Sequence, residues 1–216
     1  MTTNAGLIIL NITKIRESSL VIHTLSREFG RRSFIVRAGK GTPMALLQPL
    51  GVVDAEISEN PKSDLWKASR LSAVHPLNGI RSNLVKNAMT LFMSEVLYRT
   101  VKDGACEEGL FERCVKSILT LDALERDYVN FHVWWLLELA AALGFAPEAE
   151  DLAPFAGEHY ALLAAMVRSP FEEVMLMQMS GQTRNELCES LIRYLSFHTD
   201  CKLDIRSLKV LRELFT

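Results

Sequence analysis

The chain has 216 residues, of which 49% are hydrophobic and 23% charged, and its formal net charge is -2. This composition is that of a globular protein with one large core or two small ones, and it excludes intrinsic disorder. No apolar run is long enough to span a bilayer, and the N-terminus lacks the pattern of a secretory signal. Scattered cysteines without a Cys-x-x-Cys pair indicate a reducing compartment, so we expect a cytoplasmic protein.

Positive charge is concentrated near the N-terminus. Up to residue 53 the chain has seven basic and two acidic residues, a balance of about +5, so the remainder sums to about -7. Such asymmetry is typical of a nucleic-acid-binding module joined to another domain, because clustered cations condense on phosphates. The same residues could instead only keep exposed strands soluble. The predicted DNA-binding residues are Lys14, Arg16, Arg27, Arg31, Arg32, Arg37 and Lys40.

The first 75 residues have the pattern of short β-strands, with β-branched and aromatic residues between turn signals. Gly30 suits a tight hairpin turn between the second and third strands. Five short strands in a stretch of this length predict a small barrel of the OB type rather than a sandwich. The predicted strands cover about residues 6–12, 19–25, 32–37, 49–57 and 66–74.

Alternation along the third strand divides its residues between two faces. Side chains of successive strand residues point to opposite sides. Arg31, Ser33, Ile35 and Arg37 should therefore share one face, and Arg32, Phe34 and Val36 the other. Pairing across the turn should bring Arg27 close to Arg31 and Arg32. The patch has no obvious exposed aromatics, so backbone electrostatics should dominate any DNA contact over base stacking.

From Ser82 the apolar period becomes helical. The predicted helices begin near Ser82 and continue at about residues 108–121, 125–143, 183–197 and 205–215, with residues 145–181 left unassigned. The helix at 125–143 is apolar on nearly every face and should be the central buried one. The fold class is therefore α+β: an N-terminal five-stranded OB-type β-barrel over 1–76, followed by an α-helical domain over 77–216.

Catalytic and metal-binding motifs do not occur in the sequence. It has no H-E-x-x-H, no G-x-S-x-G, no Walker or dinucleotide glycine pattern and no metal-ligand spacing. His132 is interpreted as a partnered helix histidine, and Met175–Met179 as core. We therefore expect a protein that is not an enzyme and that needs no cofactor and no metal.

Five segments, in order along the chain, resemble a known family. Near the N-terminus these are residues 15–31, 36–40 and 46–50, beginning Ile-Arg-Glu-Ser-Ser-Leu-Val-Ile-His-Thr-Leu. Later segments at 136–147 and 202–214 agree with the same pattern. Together they resemble RecO, the family of bacterial recombination mediators in DNA repair, over most of the chain.

The resemblance implies an OB-fold followed by a helical domain. It also implies binding of single- and double-stranded DNA, annealing, contact with the C-terminal tail of single-stranded-DNA-binding protein (SSB), and recombinase loading with RecR. Association with the nucleoid would follow. One departure concerns metal: many relatives have a four-cysteine zinc site after the Gly-Phe-x-Pro stretch, but no cysteine lies between Cys114 and Cys188 here.

A second departure concerns the SSB tail. Many relatives have basic residues just before the phenylalanine that corresponds to Phe131, whereas Val129 and Asn130 stand there in this chain. An acidic tail that ends in a bulky hydrophobic residue and a carboxylate needs an apolar slot beside a cation. The candidate residues for this site are Phe111, Arg113, Lys116, Arg126 and Phe131, although both phenylalanines could equally be core.

Two alternatives to the mediator function remain at this point. The chain could be a protein-interaction scaffold with a degenerate barrel, acting through its helical domain. A transcriptional regulator is disfavoured, because no helix carries a set of base-reading residues.

Overall fold

The computed structural model describes residues 2–37 and 44–215. Five strands close a barrel in the order β1-β2-β3-β5-β4, and helices follow it, which confirms the predicted fold class. The strands are β1 Thr2–Arg16, β2 Ser19–Ser26, β3 Gly30–Arg37, β4 Val52–Ser58 and β5 Trp66–Ala73, with a short 3-10 helix at Met44–Leu47 before β4.

The long first strand closes the barrel by pairing on both sides. Thr2 to Ile8 pair with β4, and Leu7 to Arg16 pair with β2, both in antiparallel register. The register against β2 shifts between Ile9 and Asn11, and an extra residue at such a point bends a strand. The sequence predicted only residues 6–12 of this strand, because its polar end residues do not resemble a half-buried strand.

The side chains of β3 alternate between the core and the outside of the barrel, as the sequence predicts. Phe34 and Val36 are buried in the core, whereas Ser33 and Ile35 are partly exposed and Arg37 is exposed. β3 pairs with β5 in parallel at only two positions, Phe34 with Trp66 and Ile35 with Lys67. The barrel core consists of Ala5, Leu7, Ile9, Leu20, Ile22, Phe34, Val36, Leu47, Val53, Ala55, Ile57, Ala68 and Leu71.

The helical part contains α1 Asn78–Arg81, α2 Leu84–Thr100, α3 Leu110–Ala123, α4 Phe131–Ala142, α5 Ala153–Ala156, α6 Tyr160–Arg168, α7 Phe171–Leu176, α8 Gly181–Thr199 and α9 Leu208–Leu214. By internal contacts the chain forms two compact units. Unit 1 is Met1–Asn78 with Met93–Ile118, so it contains the barrel and parts of α2 and α3; unit 2 is Gly79–Phe92 with Leu119–Thr216. The sequence division at residues 76 and 77 stays a prediction.

Unit 2 is organised around α4, the helix predicted to be central. Eight of its residues are buried, including Phe131, Trp135 and Leu136. It begins at Phe131 instead of near residue 125, because Asp127 has a positive φ of 57° that interrupts a right-handed helix. The buried Asn130 amide then donates to the carbonyls of Val174 and Met177, at 3.0 and 2.8 Å. The start of α4 is thereby tied to the end of α7.

Candidate nucleic-acid interface

Two arginines lie in one cross-strand row, which we call the basic row: Arg16, Ser19 and Arg37. Arg16 is opposite Ser19, and Ser19 is opposite Arg37. The register between β1 and β2 shifts between Lys14 and Arg16, so Arg16 pairs with Ser19 after a bulge. Adjacent strands are about 4.8 Å apart, so the two arginine Cα atoms lie about 10 Å from each other. Both arginines are exposed, and neither has a side-chain partner among the described residues.

The basic row is accessible to phosphates, because its two arginines are exposed and have no side-chain partner within residues 2–37 and 44–215. Lys14, opposite Leu20, is exposed nearby. Cations without a protein partner can exchange their counterions for phosphates at no cost in intramolecular contacts. Lys40 lies outside the described residues.

The side chain of Arg31 has interaction partners within unit 1. Its Nη1 donates to Asp103 Oδ1 at 2.7 Å, and its guanidinium carbon is 4.6 Å from the centre of the Tyr98 ring. Only 11% of the side chain is exposed. The backbone of Arg31 also donates to Ala105 and accepts from Gly104. Arg31 therefore stabilises the contact between β3 and the turn after α2, and it offers little surface to DNA.

Arg27 also has interaction partners, but more of its side chain is exposed than that of Arg31. Its Nε donates to Glu112 Oε1 at 3.0 Å, and its guanidinium carbon lies 4.8 Å from the centre of the Phe111 ring. Over half of the side chain remains exposed. Arg27 and Arg31 therefore each have an acidic partner, which explains how residues of like charge can lie close together.

Arg32 lies near the opposite end of β3 from the basic row. It is five residues from Arg37, which is roughly 16 Å along a strand. Its guanidinium carbon is 3.5 Å from the centre of the Trp66 ring, and its Nη2 donates to the carbonyl of Asp64 at 3.4 Å. The single basic patch predicted from the sequence is thus divided among three environments.

The cations of the β4–β5 region were missed by the sequence analysis. Lys62 and Lys67 are exposed, and Arg70 is exposed and paired with Glu56 at 2.6 Å. The acidic residues Glu59 and Asp64 alternate with these cations and offset their charge, so a count of net charge does not show them. A strand-by-strand reading of exposed positions would have found them.

His23 lies on the outer face of β2, where part of unit 1 covers it. Its Nδ1 is 2.8 Å from Ser33 Oγ and its Nε2 is 3.0 Å from Thr13 Oγ1, and its ring packs edge-on against Tyr98. Burial, and then the charge of Arg31, lower the pKa of His23. The histidine therefore joins three strands as a neutral group and adds no positive charge to the surface.

The candidate residues for the SSB tail fall in both units. Phe111, Arg113 and Lys116 belong to unit 1, whereas Arg126 and Phe131 belong to unit 2. Phe111 is 5% exposed and Phe131 0%. Neither ring offers an apolar slot as it stands, because both contribute to packed cores; this corrects the expectation that one of them forms the slot. Arg113, Lys116 and Arg126 are exposed.

One group among the described residues has the composition of a metal site: Glu158, His159 and Glu186. His159 Nε2 contacts a carboxylate oxygen of Glu186, and Gln182 donates to the other oxygen at 2.9 Å. These two hydrogen bonds lower the pKa of Glu186. Glu186 is thus already in contact with His159 and Gln182, and the group lacks the fourth protein ligand of a structural zinc site.

Within residues 2–37 and 44–215, no helix combines the length and apolar character needed to cross a membrane.

A closed five-stranded barrel with a row of accessible cations defines a domain of the OB class, whose members bind oligonucleotides or oligosaccharides. The family model described as "Recombination protein O N terminal" matches residues 1–77, and the one described as "Recombination protein O C terminal" matches residues 81–153. The chain therefore belongs to the RecO family, and it functions in DNA repair and recombination. Membership of this family implies that it binds DNA.

Relatives named DNA repair protein RecO are similar to the chain over nearly its whole length. The protein from Bacteroides fragilis is 27% identical over 96% of this chain and 97% of its own. The protein from Phocaeicola vulgatus is 26% identical, and that from Flavobacterium psychrophilum 25%, each over 97% of both chains. The predicted RecO resemblance is confirmed.

Proposed function

We propose that the chain is a non-enzymatic mediator that binds single- and double-stranded DNA, promotes annealing of complementary strands, and helps RecR load recombinase onto SSB-coated single strands. The observation that carries the proposal is the basic row, an accessible pair of arginines on an OB-type barrel in a member of the RecO family. Annealing needs the repulsion between two polyanions to be neutralised, and cations at both ends of β3 supply the charge.

Two of the four cysteines, Cys114 and Cys188, are buried and unsuited to covalent catalysis, whereas Cys106 is exposed and Cys201 is partly exposed. Burial raises the pKa of the Cys114 thiol to about 12, and it also raises the pKa of Cys188. A buried neutral thiol is a poor nucleophile. Two of the histidines are equally unsuited to proton transfer, since burial lowers the pKa of both His23 and His132.

An annealing assay tests the mediator function. Two complementary strands coated with SSB should anneal faster when the protein is added, and adding RecR should then favour recombinase loading over annealing. A variant with Arg16→Ala and Arg37→Ala should lose most of the acceleration. Wild-type protein that leaves the annealing rate unchanged would contradict the proposal.

We propose that the SSB tail contacts exposed cations of one unit, either Arg113 and Lys116 of unit 1 or Arg126 of unit 2, since these can attract acidic residues and a terminal carboxylate. Fluorescence anisotropy with a labelled tail peptide tests this. An Arg113→Glu, Lys116→Glu variant and a separate Arg126→Glu variant distinguish the cations of unit 1 from that of unit 2. Unchanged affinity in both would reject these positions, and no binding to wild type would reject the contact itself.

The alternative function, a scaffold acting through the helical domain, has one observation in its favour. Phe197, Leu84 and Leu176 are large apolar side chains of unit 2 that are more than half exposed, as residues at protein interfaces can be. A scaffold with a degenerate barrel should give no electrophoretic shift with single-stranded DNA at low salt, whereas the mediator should give one.

Cytoplasmic location with association to the nucleoid follows from the mediator function as a prediction.

A further inference from the structure

The Arg32 guanidinium lies over the Trp66 ring at the end of the barrel where β3 begins. We infer that Trp66 and Arg32 form a stacking platform for a nucleobase, so that the barrel recognises bases as well as phosphates. The inference rests on the proposed DNA-binding function and adds to it, since the basic row contacts only the backbone charge.

Packing fixes the position of Trp66. It pairs with Phe34, whose ring is in the barrel core, so both side chains belong to the inner face. Phe29 packs against the indole in a T-shaped arrangement, with ring centroids 5.4 Å apart and planes at 86°. Trp66 itself is partly exposed. An aromatic ring fixed by a neighbouring ring in this way is a preorganised surface for stacking.

Arg32 is held on this ring without an acidic partner. Within the described part of the chain it forms no ion pair, in contrast to Arg27, Arg31 and Arg70. Its Nε is buried and has no hydrogen-bond acceptor, and its bond to the Asp64 carbonyl is long at 3.4 Å. The side chain is nevertheless partly exposed. A planar cation that lies over an indole can take a base on its other plane, as guanidinium groups do in complexes with unstacked strands.

Exposed cations lie beside this platform. Lys62 lies in the turn that ends at Asp64 and Leu65, and Lys67 directly follows Trp66 on the opposite face of β5. The turn is fixed because the Asn60 side chain accepts from the backbone of Lys62 at 3.0 Å. A base on Arg32 would therefore have its phosphates near positive charge, which is the combination that single-strand-binding sites use.

The contact between Arg32 and Trp66 could also have a purely structural function. In that case Arg32 and Trp66 only close the end of the barrel, and replacing them would lower stability without changing what kind of strand is bound. The two explanations differ in one measurable property, namely whether affinity depends on the presence of bases.

The test compares two oligonucleotides of equal length and charge, oligo-dT and a fully abasic deoxyribose-phosphate strand. Wild-type protein should bind oligo-dT more tightly by roughly tenfold, since stacking of one base contributes about that much. An Arg32→Lys variant retains the charge but loses the planar group, and it should bind the two strands with nearly equal affinity. Trp66→Leu should do the same if its melting temperature shows that the barrel is intact.

The control is the Arg16→Ala, Arg37→Ala variant, which should lose affinity for both strands by the same factor and retain the preference for bases. Equal binding of both strands by wild type, or an unchanged preference in Arg32→Lys, would overturn the stacking platform while leaving phosphate binding in place. Binding of neither strand by wild type would contradict the proposed function itself.

Discussion

Arg31 joins two segments of unit 1 through its side chain and its backbone. Replacing it with Ala removes the bond to Asp103 and the contact with Tyr98. Because Asp103 is largely exposed, the loss should be moderate, about 1–2 kcal/mol of unfolding free energy. Arg37→Ala, at an exposed position without partners, should cost under about 0.5 kcal/mol. Urea denaturation of both variants measures the difference, and equal stability would contradict the structural function assigned to Arg31.

The burial of His132 leads to a prediction about how stability depends on pH. It is completely buried against Phe92 and Phe215. Burial, and then the charge of Arg184, lower its pKa from 6.5 to about 3. Below pH 6.5 the unfolded chain binds a proton that the folded chain does not, so this contribution to stability is present at neutral pH and decreases as the pH falls.

Between pH 7 and pH 5 the wild type should therefore lose about 2 kcal/mol more of its unfolding free energy than a His132→Phe variant. Chemical denaturation at both pH values measures this. Carboxylates and the other histidines titrate in both proteins, so the difference between the two isolates His132. Parallel pH profiles would contradict the assignment of a buried neutral imidazole.

The sequence shows where the cations lie along the chain but not which acidic residues pair with them. Alternation along β3 was enough to separate Arg37 from the core residues Phe34 and Val36. The acidic groups that occupy Arg27 and Arg31 are Glu112 and Asp103, which lie 85 and 72 residues away in the sequence. No local pattern links positions so distant, so a density of cations could not show which of them remain accessible.

At the scale of elements, Gly30 is where β3 approaches the turn after α2. It has a φ of +62°, and an added Cβ would lie 2.1 Å from the Ala105 carbonyl oxygen. Gly30→Ala should thus cost more than about 3 kcal/mol, from the left-handed backbone and the clash together. Gly104→Ala is the matched control, since Gly104 also has a positive φ but an added Cβ there meets nothing within 4 Å.

The control substitution should cost only about 1 kcal/mol. Thermal denaturation of the two variants separates backbone strain from the clash. Similar losses in both would mean that the close approach of β3 to Ala105 does not contribute to stability.

Elements were predictable where local chemistry determines them. Strand periodicity located β2 to β5, and the helical period located α2, α3 and α8. The start of α4 was misplaced because it depends on a tertiary contact: Asn130 binds carbonyls 44 to 47 residues further along the chain. Residues 145–181 were unassigned for a related reason, since they form short helices such as α5 and α7 that the sequence interrupts with proline and glycine.

At the scale of the whole molecule, folding should be independent of metal. No cysteine lies between Cys114 and Cys188, and Glu186 of the candidate metal group is already in contact with His159 and Gln182. Treatment with EDTA should therefore change the melting temperature by no more than about 1 °C. Stoichiometric zinc in the purified protein, or a large fall in melting temperature on chelation, would contradict this prediction.

The charge asymmetry of the chain fits a mediator whose barrel binds DNA. Residues 1–76 have ten basic and six acidic residues, a balance of +4, and the remainder sums to -6, in a protein of net charge -2. Excess negative charge outside the barrel should weaken non-specific binding of DNA there. The barrel should accordingly account for nearly all of the salt-dependent affinity.

The salt dependence of single-strand binding tests this account most directly. If Arg16 and Arg37 each neutralise one phosphate, the Arg16→Ala, Arg37→Ala variant should bind more weakly. Its slope of log K against log salt should be shallower by about 1.4, that is about 0.7 for each lost contact. An Arg206→Ala, Lys209→Ala variant, which removes two exposed cations of unit 2, should retain the wild-type slope. Wild-type affinity and slope in a correctly folded basic-row variant would contradict the claim that this row binds DNA.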